Sequence, residues 1–404
     1  LGLVVARGRF WDASADGLRR LGAGDAGDTL PEVHAVVPAR DEADVIARTL
    51  RALIAQDYPG RFGVTVVDDG STDGTGAVTR AVIAELGAAG EGRTAGRTRA
   101  DERAEVVAAE RARVVAARSR PAGWTGKVWA LAEGVAAARG SGARPAYWWF
   151  SDADVEHAPD TLARLVATAR GERRDLVSLM VALHCRSGWE RLLIPAFVFF
   201  FRLLYPFAWV NDDRRATAGA AGGCVLLADD ALVRIGGVER IAGELIDDCA
   251  LAAAVKGSGG GLWLGLATTS RSVRPYDSLD AIWAMVARSA YTQLRHSPAL
   301  LAGTVAGMAL LYIVPPVAAV GGTLARRRDM ALPGALAWGL MALAYAPTLR
   351  LYGVPRAQAL ALPAAASLYT AMTIDSARRH ARGSGGTWKC RDFKRAASAR
   401  PPVA

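Results

Sequence analysis

Three stretches near the C-terminus, 299–322, 331–349 and 357–374, contain no charged residue. A helix that crosses a bilayer needs about 20 apolar residues, with ~17–25 tolerated. These runs therefore predict transmembrane helices across 297–375. The third, AQALALPAAASLYTAMTI, is shorter and richer in Ala. A buried helical hairpin is the competing reading, but three such runs in succession are rare in soluble cores. The formal charge of +10 fits the same picture. Arg326, Arg327 and Arg328 form one cluster, and residues 375–400 hold eight Lys or Arg against two Asp. Both clusters flank apolar runs, where anionic headgroups lie. The excess is read as a membrane signal, and no nucleic-acid partner is expected.

Residues 1–30 read as the remnant of a membrane anchor and a linker. LGLVVARGRFW carries Arg7 and Arg9 where the cytoplasmic edge of a span would fall; a short apolar terminus is the plainer alternative. Residues 191–210 are aromatic-rich but contain Arg202 and two prolines. They predict an interfacial helix lying flat at headgroup depth, with a buried core helix as the other reading. An apolar fraction of 51% excludes disorder for most of the chain. The four cysteines (Cys185, Cys224, Cys249, Cys390) form no CxxC pair, which argues against a disulfide framework or structural zinc.

Residues 31–296 carry a different pattern. Short β-branched runs at 33–37, 63–67, 113–116, 146–150, 176–181 and 262–266 end in polar turns and lead into helical segments. That repeat predicts an α/β fold with a mostly parallel sheet and helices on its faces. Such sheets bind ligands outside the carboxyl ends of their strands. The first strand ends in Pro38, Ala39, Arg40, Asp41, Glu42, and the second in Asp68, Asp69, Gly70, Ser71. Carboxylates there can accept hydrogen bonds from a pyrimidine N–H and ribose hydroxyls, although an ordinary Asx-rich turn explains them equally well. The fourth strand ends in Ser151, Asp152, Ala153, Asp154. Residues two apart in an extended segment point the same way, so Asp152 and Asp154 are candidate ligands for Mg²⁺ or Mn²⁺. Lys127 opens a helical run after a Gly turn and is a candidate phosphate contact. Gly222 and Gly223 belong to a small-residue loop suited to close approach of an acceptor. Asp247 and Asp248, with Glu244 nearby, are candidate general bases or simply acids favoured by a helix N-terminus. Arg288 and Tyr291 precede the first apolar run.

The order of these motifs resembles the inverting family 2 glycosyltransferases with the GT-A fold, over residues 33–296. Finer segments (IPAFVFFFRLLYPFAWVND, IDDCALAAAVK, ARSAYTQLRHSP and TWKCRDF) resemble the hopene-associated, hopanoid-biosynthesis branch. The resemblance implies a GT-A-type nucleotide-diphospho-sugar-binding sheet followed by transmembrane helices and a basic tail at 376–404. It implies nucleotide-sugar contacts at Pro38, Arg40, Glu42, Asp68, Asp69, Lys127, Asp152 and Arg288. The metal would lie on Asp152 and Asp154, the base would be Asp248 with Asp247 as alternate, and Gly222, Gly223 and Tyr291 would face the acceptor. It further implies a UDP-linked donor, a lipid acceptor, and a bacterial cytoplasmic (inner) membrane enzyme, multi-pass, with its catalytic domain facing the cytoplasm. The wider family closes with Gln-x-x-Arg-Trp. Here the stretch is Met285-x-x-Arg288-Ser289, which suits single transfer to a lipid better than polymer synthesis. A nucleotidyltransferase would need a Gly-rich basic loop where this chain has PARDEADV. A non-catalytic membrane scaffold would not need the retained Asp152, Asp154 and Asp248.

Overall fold

The computed structural model describes residues 6–13, 17–21, 30–89, 112–383, 387–388 and 391–392. Cys390 and most of the TWKCRDF segment lie outside these residues. Two compact units form. One comprises Ala15–Ala182, Val210–Arg274 and Trp388–Ala404; the other comprises Leu1–Ser14, Leu183–Trp209 and Pro275–Thr387.

The first unit is built on an eight-stranded sheet among the described residues. Its strands are β1 (Val33–Ala39), β2 (Phe62–Asp68), β3 (Ala112–Ala116), β4 (Tyr147–Ser151), β5 (Val155–Glu156), β6 (Leu176–Ala182), β7 (Cys224–Ala228) and β8 (Leu262–Ser272). The spatial order is β3-β2-β1-β4-β7-β6-β8-β5. β3, β2, β1 and β4 run parallel, as do β6 and β8. β7 is inserted antiparallel between β4 and β6, and β5 is an antiparallel edge on β8. All seven residues of β1 are buried, as expected for a parallel strand covered on both faces. Trp148 and Trp149 are fully buried in β4. Each indole N–H finds a partner: Trp148 donates to Asp229 Oδ1 at 2.6 Å and Trp149 to Cys224 Sγ at 3.4 Å. Buried Trp needs such a partner to avoid an unpaired donor.

Helices α1 (Ile46–Ile54), α2 (Thr75–Ala89), α3 (Gly126–Gly140), α4 (Thr161–Gly171), α6 (Asp229–Arg234) and α7 (Asp247–Gly257) cover this sheet, with α5 (Gly188–Leu204) belonging to the other unit. α3 packs on β1 and β2. The Thr125 hydroxyl caps its start through the Val128 N–H, which fixes where the helix, and hence Lys127, begins.

The second unit is helical: α5, α8 (Leu279–Ala287), α9 (Pro298–Met308), α10 (Val314–Leu324), α11 (Arg328–Leu351) and α12 (Leu362–Ala381). Ser187 and Glu190 form a reciprocal cap on α5. An aromatic cluster holds the unit together. Phe199 packs edge-on against Phe10 at 5.3 Å and Tyr345 at 5.2 Å, and Phe200 packs against Tyr312 at 5.5 Å and Tyr369 at 5.3 Å. Four helical segments are long and apolar enough to cross a membrane by length and composition: Gly188–Val210, Pro298–Leu324, Arg328–Leu351 and Arg356–Ala381. Half of the first is buried within the protein, so the segment read as an interfacial helix packs its aromatic rings into the aromatic cluster. The two units draw on alternating stretches of the chain.

Candidate active site

The sheet's carboxyl edge gathers the acidic turns. Ala39 is opposite Asp68 in the β1–β2 ladder, and β4 lies on the other side of β1. The turns after β1 and β2 are stitched together by side chains. Asp41 Oδ1 accepts from the Thr72 N–H at 2.8 Å, and the Asp41 N–H donates to Ser71 Oγ at 3.1 Å. Asp41 has φ +49°, a left-handed conformation that Asp tolerates better than most residues because it bonds locally. The Glu42 N–H donates to Thr75 Oγ1 at 2.8 Å. Asp69 is buried, and the Arg40 guanidinium donates to its carbonyl and lies 3.8 Å from its carboxylate. Asp68 Oδ1 accepts from the Ser71 N–H at 2.9 Å and so closes its own turn.

A small cavity opens beside these turns. Its lining includes Pro38, Lys127, Phe150, Ser151, Asp152, Gly222, Asp247 and Asp248. Lys127 Nζ lies 2.8 Å from Asp152 Oδ1 and 3.4 Å from Asp247 Oδ2. Burial works against the ammonium charge, but the charges of Asp152, Asp247 and Asp248 outweigh it and raise the Lys127 pKa above its ordinary value. Asp248 sits in the first turn of α7. Its Oδ2 accepts from the Gly222 N–H and its Oδ1 from the Cys249 N–H, both at 2.7 Å. Burial, reinforced by the Asp247 charge, pushes Asp248 up to about 6. A Cβ on Gly222 would lie 2.9 Å from Lys127 Nζ and 3.2 Å from Asp248 Oδ2, so only glycine leaves the ion cluster undisturbed. Gly223 faces inward instead: a Cβ there would meet Val181 Cγ2 at 3.0 Å and Val155 Cγ2 at 3.3 Å.

Asp154 lies in the turn between β4 and β5, not in extended chain, so its two-residue spacing does not by itself align it with Asp152. Ser272 Oγ donates to Asp154 Oδ2 at 3.0 Å, and Arg274 Nε approaches the same oxygen at 3.4 Å. Burial first, then the Asp152 charge, push Asp154 up to about 6. Beneath this turn His157 bridges Ser151 Oγ at 2.8 Å and Ser270 Oγ at 3.1 Å. Burial pushes its pKa down to about 3, so the ring is neutral. Among the described residues no group of three or more His, Cys, Asp or Glu is gathered for a metal. Two carboxylates with an excess of negative charge around them nevertheless suit Mg²⁺ or Mn²⁺, which take only one or two protein carboxylates when they share phosphate oxygens.

Pro38, Lys127, Asp152, Gly222, Asp247 and Asp248 thus meet in one cavity, with Arg40, Glu42, Asp68, Asp69 and Asp154 on adjoining turns of the same sheet edge. Arg288 is exposed after α8 and Tyr291 is buried, and both belong to the helical unit. Sequence reasoning missed Arg274, Ser272 and His157. The available signal for the first two was the run SRSVR at the end of a strand whose last stretch is less apolar.

An α/β sheet with acidic turns at its carboxyl edge and this pattern of parallel and antiparallel strands is a GT-A-like fold. The chain belongs to glycosyl transferase family 21, whose model matches residues 108–379; residues 34–93 match the model of glycosyl transferase family 2. A 53-residue stretch is 43% identical to glycosyltransferase AglE of Haloferax volcanii, covering 13% of this chain and 17% of that relative's length. Among solved structures, similarity extends to the mannosyltransferase PcManGT from Pyrobaculum calidifontis in complex with GDP-Man and Mn²⁺. That match has TM-score 0.48 and 21% identity, and covers 92% of this chain and 90% of that one. It also extends to glucosyl-3-phosphoglycerate synthase from Mycobacterium tuberculosis in complex with Mn²⁺, UDP-Glc and phosphoglyceric acid. There the TM-score is 0.39 and the identity 19%, over 70% of this chain and 85% of that one.

Proposed function

We propose that the protein transfers a sugar from a nucleotide-sugar donor, UDP-linked, to a lipid hydroxyl with inversion at the anomeric carbon. The observation that carries this reading is the convergence of Lys127, Asp152, Asp247 and Asp248 on one cavity beside Gly222. Asp248 takes the proton from the acceptor hydroxyl as its oxygen bonds to the anomeric carbon. The bond from that carbon to the diphosphate breaks, and the nucleoside diphosphate leaves. The two backbone N–H bonds to Asp248 leave further lone pairs for the acceptor proton and fix the carboxylate's direction. Base assistance of this kind contributes about 10²–10⁴-fold.

Lys127 supplies a fixed positive charge next to Asp152, where negative charge grows on the leaving group. A divalent cation on Asp152 and Asp154 would add further charge neutralisation there. Arg40, Glu42, Asp68 and Asp69 line the turns assigned to the base and ribose, and Pro38 lines the cavity wall. Arg288 and Tyr291 are assigned to the diphosphate and acceptor by the motif resemblance. Outward-facing Leu310, Val317, Leu324, Leu332, Leu336 and Leu343 are 61–81% exposed. Apolar surface of this extent on α10, α11 and the segment before them favours a bilayer environment. We assign the enzyme to the bacterial cytoplasmic membrane, acting in hopanoid-related lipid synthesis; the four sequence segments quoted above support that branch.

The test is nucleotide release by purified protein with Mn²⁺ and a bacterial lipid extract, across UDP- and GDP-sugars, followed by mass spectrometry of the lipid. A new glycolipid with release of UDP is expected. Nucleotide release without any change in the lipid pool, or no release from any donor, would overturn the proposal.

A further inference from the structure

We propose that Arg274 is a positioning residue that competes with the divalent cation for Asp154 and ties cation binding to the turn after β1. This inference rests on the sugar-transfer reading above. The end of β8 lies over the turn that carries Asp154. Val155 pairs with Ser272 and Glu156 with Arg271, and the Val273 N–H donates to the Asp154 carbonyl at 2.8 Å. The backbone that leads into Arg274 is therefore fixed relative to Asp154. From there the guanidinium reaches two carboxylates. Its Nε lies 3.4 Å from Asp154 Oδ2, and its Nη2 pairs with Glu42 Oε2. Glu42 is buried and anchored through its own N–H to Thr75 Oγ1. One planar cation thus bridges the turn after β1 and the turn after β4, a geometry that the guanidinium fork suits and an ammonium does not.

A divalent cation held by Asp154 would share that carboxylate with Arg274. Two cations next to one carboxylate repel each other, and the repulsion is screened weakly where the groups are largely withdrawn from water. The Arg274 side chain is 27% exposed and that of Asp154 17%. Cation uptake must therefore weaken the Arg274–Asp154 contact and leave Arg274 to Glu42. The turn assigned to the nucleotide then senses whether the cation is present.

Binding of Mn²⁺ alone, read from the free-ion electron paramagnetic resonance signal without nucleotide, tests this directly. Asp154→Asn is expected to weaken binding. Arg274→Gln is expected to tighten it by about fivefold, the size of a partly exposed ion pair. Arg274→Lys, which keeps the charge, is expected to stay within about twofold of wild type. With Mn²⁺ saturating, UDP is expected to bind Arg274→Gln more weakly, because Glu42 has lost its partner. A general loss of structure would weaken both ligands, so tightening of the metal is the distinguishing sign. If Arg274→Gln melts early, Arg274→Met keeps the stem and carries the same expectation. An Arg274 variant that melts like wild type and binds Mn²⁺ no more tightly overturns the inference while leaving the transferase reading intact. Wild-type protein binding Mn²⁺ no better than Asp154→Asn overturns the metal assignment and the inference together.

Discussion

The Gly222 N–H donates to Asp248 Oδ2 at 2.7 Å. A loop with no side chain at that position therefore aims the carboxylate on which the proposed chemistry turns. Replacing Asp248 with Asn keeps the shape and removes the proton acceptor. Transfer is expected to fall by about 10²–10⁴-fold, with UDP affinity nearly unchanged. Nucleotide release and equilibrium UDP binding measure the two quantities. Full activity in the variant would shift the base role to Asp247 or Glu244.

The raised pKa of Asp248 gives a pH dependence. As the base it must be ionised, so kcat/KM should fall as pH drops through about 6. Stability should respond in the opposite sense. A carboxyl whose pKa is raised by folding binds its proton more tightly in the folded than in the unfolded state. Its contribution to stability therefore decreases as pH rises from the ordinary carboxyl range through about 6. Asp154 adds to this in the same window. Thermal melts of wild type and Asp248→Asn between pH 4 and 8 should show a shallower slope for the variant.

Lys127 is the counter-charge for a crowded set of acids. Lys127→Met would leave Asp152 and Asp247 without their ion-pair partner. A loss of about 3 kcal/mol of stability at neutral pH is expected, the usual cost of stripping one partner from a mostly buried pair. Denaturant titration measures it. The loss should shrink at pH 5, where Asp248 and Asp154 take up protons.

Gly222→Ala places a methyl group 2.9 Å from Lys127 Nζ and 3.2 Å from Asp248 Oδ2. The ammonium or the carboxylate must move by a few tenths of an ångström. We expect kcat to fall by about tenfold, less than the roughly 10²-fold that a full 1 Å misplacement carries, with little change in melting temperature. Unchanged kcat would mean that the carboxylate's direction is unimportant.

Removing Mn²⁺ and Mg²⁺ with EDTA should suppress transfer, and Asp152→Asn or Asp154→Asn should raise the Mn²⁺ concentration needed to restore it. Activity indifferent to EDTA would separate these aspartates from any cation.

Much of the fold was legible because parallel strands covered on both faces write themselves as unbroken apolar runs. Five of the six predicted strands lie within observed ones and the sixth, 146–150, is offset from β4 by one residue; the acidic ends of the first, second and fourth fall on the carboxyl edge as expected. β7 is not among the predicted strands, since five residues following Gly and Ala carry no period of their own. β5, two residues long, leaves no pattern at all. Asp152, Asp247, Asp248 and Lys127 could be named from local motifs. Arg274 could not, because its role depends on β8 lying over the β4–β5 turn, a contact between residues 118 positions apart in the analogous Ser272–Asp154 bond. The allegiance of α5 to the helical unit was equally hidden, because Phe199 and Phe200 meet Tyr345 and Tyr369 only through tertiary packing.

The inserted strand β7 runs against its neighbour, so Cys224 at its entrance stands opposite Ser151 at the exit of β4. The loop that delivers Gly222 and the turn that bears Asp152 therefore share a rim while belonging to different stretches of chain. Residues 211–221 are pinned at both ends, the Asn211 amide to the Leu264 backbone and the Ala221 N–H to Ser178 Oγ, so a change of length between those two anchors would be felt on both sides of that rim.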